Sequence, residues 1–298
     1  MVTTIIFKIY LMTLMIPIPS TYAIIPQKTQ EKIMAELFTI FGNPVSHSKS
    51  PLMHNLTFQG LDYEGCYTRY RLEDGSQLRD KFFELGIKGA NITVPHKEHA
   101  FEACDELDPF AQKVGAVNTI VNREGKLYGY NTDAPGFLRA IEEFEGIKTV
   151  LFLGAGGTAQ STSVVLRDAG YEVTILNRSA GRLGRYAKEG FETFTFEDFD
   201  SQRQFDLIVN MTSAGLEDES YPCPVEFLEK LFPPAKACVD VIYGKVTPFL
   251  KLAKSYEKPT KDGSDMLLYQ GVIAFEYFTE GKFGFEEIKE SMQQAFEL

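Results

Sequence analysis

Two hydrophobic periods alternate along this chain. Short apolar runs of strand length, bounded by glycine, asparagine or proline, give way to longer stretches with apolar residues three and four positions apart, as expected where strands feed helices. "LFTIFG", from Leu37, reads as the first strand. In "NITVPHKEH" the polar Asn91 and Thr93 alternate with Ile92 and Val94, which predicts a short strand, and Pro95 suits the first turn of a helix beginning near Lys97. "GAVNTIVNREGKLYGYNTD" reads as a hairpin turning at Glu124 and Gly125, after which Asp133 leads into the helix "APGFLRAIEEF". Thr149 to Leu153 and Glu172 to Leu176 are strands flanking an apolar-periodic helix that ends near Gly170; "FDLIVNMTSAG" and "CVDVIYG" are later strands with polar ends. The pattern predicts an α/β fold, and 298 residues allow two domains at about 100–200 residues each.

The first 34 residues break this pattern. "MVTTIIFKIYLMTLMIPIPSTYA" carries an apolar run from Ile9 to Ile16 and loosely resembles a secretory signal, but its start is not basic, and Pro17 and Pro19 cut the run short of a membrane span. Because Met34 stands directly before globular sequence, residues 1–34 are expected to be an extension outside the fold.

Composition narrows the partners. Apolar residues at 44% and charged residues at 24% are ordinary globular values. A net charge of −11 argues against nucleic acid or an anionic membrane as partner, so an anionic ligand needs a locally basic site. Cys66, Cys104, Cys223 and Cys238 show no paired spacing and are expected to be reduced, packed thiols in a cytoplasmic protein. His96 and His99 have helical i, i+3 spacing, but no third ligand is evident; solvated surface histidines and no metal are expected.

The most specific local pattern is "TVLFLGAGGTAQSTSVVLRDAGYEVTILNRSAGR". Gly154, Gly156 and Ala159 fill the G-x-G-x-x-A positions, with Ala155, Gly157 and Thr158 between them, at a strand-to-helix junction. Such a loop binds a dinucleotide: Gly154 for the tight turn, Gly156 for approach of the diphosphate, Ala159 for close helix–strand packing. An NAD site has an acid at the end of the next strand to bond the ribose 2′-hydroxyl. Here Asn177, Arg178 and Ser179 stand there, and a guanidinium favours the 2′-phosphate of NADP(H). Arg182 either adds to this or is a solvated helical arginine. Asn210 and Thr212, at the polar end of a later strand, are expected to face the cofactor crevice.

Elsewhere, Ser48 and Ser50 straddle Lys49 in "GNPVSHSKSPLMHN", and Asn118 precedes the hairpin. Singly these are helix caps and turn residues. Together, "GNPVSHSKSP", "GANITVPHK", "GAVNTI", "NTD", "GAGGTA", "NRS", "VIYGKVTPFL" and "GSDMLLYQG" resemble shikimate dehydrogenases in order, from about Leu37 to the C-terminus. The resemblance implies reversible reduction of 3-dehydroshikimate to shikimate with NADPH, in chorismate and aromatic amino-acid biosynthesis. It implies a substrate domain from 35–132 plus 263–298 and a Rossmann-type, doubly wound dinucleotide domain from 133–262. Lys97 and Asp133 match the family's catalytic pair; Ser48, Ser50, Thr93, Asn118, Asp133 and Gln270 match residues that hold the substrate; Tyr243 matches a tyrosine near it. Gly263 and Met266 fit the family's "GLGM", but Asp265 replaces its second glycine, which puts the local geometry near the nicotinamide in question. The chemistry suits these residue types. A trihydroxylated cyclohexene carboxylate calls for hydroxyl and amide partners, and hydride transfer to a ketone builds negative charge that an ammonium such as Lys97 stabilises and protonates. The alternatives are an NAD-using quinate/shikimate dehydrogenase, disfavoured by Arg178, and a non-catalytic NADP-binding sensor, disfavoured by the intact Lys97 and Asp133. A monomer and a homodimer both remain open.

Overall fold

The computed structural model describes residues 35–298, and the predicted extension at 1–34 lies outside the described residues. Two six-stranded sheets organise the chain. The first contains β1 (Glu36–Gly42), β2 (Gly65–Arg71), β3 (Ile87–Ile92), β4 (Glu106–Leu107), β5 (Thr119–Arg123) and β6 (Lys126–Tyr130) in the order β2-β1-β3-β5-β6-β4. β2, β1 and β3 run parallel, whereas β5 is antiparallel to both β3 and β6. The predicted hairpin joins β5 and β6: Glu124 (φ 52°) and Gly125 (φ 83°) both take the left-handed conformation that a two-residue turn between twisted strands requires. Helices α1 (Ser50–Gly60), α2 (Leu78–Glu84), α3 (Lys97–Ala103) and α4 (Pro109–Val114) link these strands.

The strand expected over Asn91–Val94 stops at Ile92. Pro95 has no N–H with which to extend a ladder, and the chain turns at 93–96, closed by the His96 N–H donating to the Thr93 carbonyl at 3.0 Å. Pro95 therefore precedes α3 instead of lying in its first turn. His96 is also buried, with Nε2 2.7 Å from the Leu72 carbonyl oxygen, which corrects the expectation of a surface histidine. Among the described residues no cluster of His, Cys, Asp and Glu is arranged to hold a metal. The four thiols are free, but Cys66 is exposed on β2 instead of packed.

The second sheet is wholly parallel: β7 (Thr149–Leu153), β8 (Glu172–Asn177), β9 (Glu192–Thr195), β10 (Leu207–Asn210), β11 (Ala237–Asp240) and β12 (Thr260–Lys261), in the order β12-β11-β10-β7-β8-β9. α6 (Gly157–Asp168), α7 (Leu183–Lys188), α8 (Val225–Leu231) and α9 (Pro248–Ser255) accompany it. Apolar cores form on both faces, so the central strands read as near-continuous apolar runs. Strand order reverses between β7 and β10, and a crevice opens beyond the C-terminal ends of such a pair.

Two helices join the halves. α5 (Asp133–Ile141) leads from β6 to β7, and α10 (Ser264–Phe278) leads back from β12 to the first sheet, followed by α11 (Phe285–Gln293). α5 and α10 touch so closely that a Cβ at Gly136 would lie 2.7 Å from the Gln270 backbone nitrogen. Lys261 pins the start of α10, bonding Asp265 in its first turn and Glu143 at 2.8 Å. The residue departing from the resemblance thus has an ionic partner. In the first half Phe38 packs between Phe58 and Phe278, ring centroids 5.0 and 5.1 Å away, so the earliest and latest parts of the described chain share one core.

Candidate active site

Three loops from the first sheet, the first turn of α5 and the start of α10 enclose a cavity of about 240 Å³. Lys97 begins α3 and Asp133 begins α5, and their side chains meet with Nζ 2.5 Å from Oδ2. Both side chains are largely buried, at 22% and 15% exposure, yet both line the cavity, so this ion pair is partly shielded from water without being closed off. The Val117 N–H donates to the Lys97 carbonyl, fixing the backbone from which the ammonium projects.

Ser48, Ser50, Thr93, Asn118, Tyr243 and Gln270 line the same cavity. Their hydrogen bonds decide what each still offers a ligand. The Ser48 hydroxyl donates to Ser50 Oγ at 3.1 Å, which leaves the Ser50 hydroxyl hydrogen free, and Arg69 anchors the loop by donating to the Ser48 carbonyl at 2.6 and 3.1 Å. Asn118 Oδ1 accepts from the Thr132 N–H at 2.7 Å and its Nδ2 donates to Thr132 Oγ1 at 3.0 Å, so one N–H remains. Gln270 Nε2 donates to the Leu267 carbonyl and likewise keeps a second N–H. Burial pushes the Tyr243 hydroxyl pKa up, so it stays a neutral donor.

Sequence reasoning passed over Asn91, which also lines this cavity. The hydroxyl of the buried Tyr67 donates to Asn91 Oδ1 at 2.6 Å, and Asn91 Nδ2 donates to Thr119 Oγ1 at 3.1 Å; the second N–H is again spare. Its place at the polar positions of "NITV" was the available signal.

The glycine loop separates this cavity from the crevice at the sheet's switch point. Gly154 (φ 111°) makes the turn, and a Cβ there would meet Thr212 Cγ2 at 2.6 Å. Gly154, Ala155, Gly156, Asn177, Arg178, Arg182 and Thr212 line a cavity of about 800 Å³. Gly157 lines a smaller neighbouring one, Thr158 faces the Lys97 cavity, and Ala159 is buried against the sheet. Gly263 lies in the Lys97 cavity with Met266.

Two expected crevice residues are placed elsewhere. Asn210 is fully buried and does not line the crevice: its Nδ2 donates to the buried Asp240 carboxylate at 3.0 Å, and its Oδ1 accepts from the Thr212 N–H and hydroxyl. Thr247 and the Ile242 N–H complete that cluster. Burial raises the Asp240 pKa, against the opposing pull of these bonds. Asn210 therefore holds the strand end in place. Ser179 is exposed outside the lining, its carbonyl accepting from Asn177 Nδ2 at 2.8 Å. No acid stands at the end of β8.

This arrangement matches known proteins. Residues 40–120 fit the family model described as the shikimate dehydrogenase substrate binding domain. The NADP(+) shikimate dehydrogenase of Helicobacter hepaticus is 42% identical over 251 residues, covering 84% of this chain and 93% of the relative. That of Helicobacter pylori is also 42% identical, over 87% of this chain and 98% of its own length. Among solved structures, the Thermus thermophilus shikimate 5-dehydrogenase in complex with NADP(H) and shikimate superposes with a TM-score of 0.75 at 35% identity, covering 87% of this chain and 99% of its own. With identity at that level over nearly the full length of each relative, the chain belongs to the shikimate dehydrogenase family.

Proposed function

We propose that this protein reversibly reduces 3-dehydroshikimate to shikimate with NADPH, a step in chorismate and aromatic amino-acid biosynthesis. The observation that carries the reading is the Lys97–Asp133 pair, set in a cavity of hydroxyls and amides that adjoins the glycine-loop crevice.

The crevice fits NADP(H). Gly156 and Gly157 leave open space where a side chain would otherwise project, so a diphosphate reaches the first N–H groups of α6. Arg178 and Arg182, with Asn177, would supply cationic and polar partners for a 2′-phosphate, and Gly263 and Met266, which line the Lys97 cavity, would border the nicotinamide. When bound, the cofactor supplies or accepts the hydride.

The residues of the chain do the rest. The spare donors of Ser50, Asn91, Asn118 and Gln270, with Thr93 and Tyr243, hold the substrate's carboxylate and ring oxygens. A site of this kind rejects analogues lacking a hydroxyl, because its own buried polar groups are then left unpaired. Lys97 places its ammonium beside the reacting oxygen, stabilises the developing negative charge and donates the proton in the reductive direction. Asp133 orients that ammonium and accepts from a substrate hydroxyl. In the oxidative direction Lys97 takes the proton back.

Residues 35–132 with 263–298 make up the substrate domain and 133–262 the nucleotide domain; each is built around one of the two sheets, with α10 and α11 returning to cover the first. Every residue assigned here belongs to one chain, so a monomer and a homodimer serve equally. The free thiols suit a cytoplasmic setting.

The test is spectrophotometric: purified protein is given NADP⁺ or NAD⁺ with shikimate or quinate in separate cuvettes. Reduction of NADP⁺ with shikimate, well above the other three combinations, is the expected result. Turnover only with quinate and NAD⁺, or none at all, would overturn the proposal.

A further inference from the structure

On the inner side of the glycine loop, α7 presents two side chains that the reading above does not use. Arg185 Nη2 donates to the carbonyls of Ala155 and Gly156, at 3.2 and 3.3 Å. The hydroxyl of the adjacent Tyr186 donates to the Gly156 carbonyl at 3.0 Å, and the guanidinium lies over the Tyr186 ring, 5.2 Å from its centroid. Tyr186 is fully buried.

Peptide geometry turns this into a statement about the opposite side of the loop. The C=O of Ala155 and the N–H of Gly156 belong to one planar trans peptide and point opposite ways, as do the C=O of Gly156 and the N–H of Gly157. Holding both carbonyls toward α7, with the Gly156 carbonyl also accepting from the Gln160 N–H at 3.1 Å, aims both N–H groups the opposite way. The charge matters as well as the direction. A cation bonded to the carbonyl end of a peptide polarises it and strengthens the N–H at the other end as a donor. Arg185 carries a cost for being there, since its buried Nε has no hydrogen-bond partner. A neutral side chain would hold the loop without placing a charge behind it.

We infer that Arg185, supported by Tyr186, is a positioning residue for the cofactor's diphosphate: it sets the orientation and donor strength of the Gly156 and Gly157 N–H groups through the carbonyl ends of their peptides. The inference rests on the NADP(H) reading of the crevice.

Calorimetric titration of three ligands tests it: NADP⁺, 2′-phospho-ADP-ribose, which keeps the diphosphate, and adenosine 2′-monophosphate, which lacks it. Arg185→Gln weakens the first two by the same factor, about tenfold for one lost charge-assisted contact, and leaves the third unchanged. Arg185→Lys, which keeps the charge, recovers part of that loss. Tyr186→Phe, which removes only a hydroxyl, weakens the same two ligands by a smaller factor and serves if Arg185→Gln does not fold. Equal weakening of all three ligands would mean that Arg185 binds the 2′-phosphate or merely maintains the fold. That result, or unchanged affinities throughout, overturns the inference while leaving the cofactor reading intact. Failure of the unaltered protein to bind NADP⁺ overturns both.

Discussion

Lowering the pH should destabilise this protein through a single buried imidazole. His54, on α1, has no exposure; its ring stacks on Tyr67 at 4.4 Å between centroids, and Phe58, Phe275 and Phe278 surround it. Neither ring nitrogen has a hydrogen-bond partner. Burial pushes its pKa down to about 3, against a smaller opposing effect of the Asn91 amide, from 6.5 for a free histidine. Above pH 6.5 both folded and unfolded chains leave the ring neutral, and it contributes no pH dependence. Below 6.5 the unfolded chain takes up a proton that the folded one refuses, so stability falls with pH until about pH 3. One proton is worth ~1.36 kcal/mol per pH unit; at pH 5 the loss is therefore about 2 kcal/mol, a large part of a typical folding free energy. Urea unfolding at pH 7.5 and pH 5.0 measures it, with His54→Phe as the control that keeps an aromatic ring in an aromatic pocket. Every other ionisable group is common to both proteins and cancels in the difference. The gap between variant and parent should shift by about 2 kcal/mol in the variant's favour at the lower pH. Parallel pH profiles would refute the reasoning.

Lys97→Ala should lower kcat by ~10²–10⁴ with little change in the KM for shikimate; a folded variant with near-normal kcat would remove Lys97 from the chemistry. Arg178→Ala should weaken NADP⁺ binding by ~1.5–3 kcal/mol and barely alter NAD⁺ binding, and equal losses would assign it to the adenine or the fold. At Gly263 a Cβ would lie 2.2 Å from the Val241 carbonyl oxygen, so Gly263→Ala should cost ~1–3 kcal/mol in urea unfolding and raise the shikimate KM by displacing the start of α10; an unchanged Tm and KM would show that the clash relaxes freely. A chain beginning at Met34 should fold and turn over like the full one, and an insoluble or inactive product would return 1–34 to the working protein.

What was legible in the sequence was whatever is encoded locally. The glycine loop and the Glu124–Gly125 hairpin are dictated by residues a few positions apart, and both form where expected. The Lys97–Asp133 meeting depends on two helix starts converging, which ordered motifs indicated and spacing alone did not. Misreadings came where burial is decided by a distant partner. Asn210 looks like any polar residue at a strand end; it is buried because parallel pairing of β10 with β11 brings Asp240 beside it. His96 resembles a solvated helix residue until the Leu72 carbonyl covers it. Arg185 lies outside every motif and drew no reading at all; only the fold brings the glycine-loop carbonyls to it.

The shared core of Phe38, Phe58, Phe275 and Phe278 has a consequence for synthesis. The ribosome releases β1 and α1 well before α10 and α11, so the apolar face of the first sheet waits for its cover until those two helices emerge. The intervening parallel sheet, complete at β12, can fold during that wait because its strands and helices are contiguous in the chain. Folding of the substrate half is thereby delayed until after the nucleotide half has emerged and is governed by long-range contacts, which form slowly. A nascent chain stalled or cleaved before α10 would carry an exposed aromatic surface, the kind of feature on which chaperones and aggregation compete.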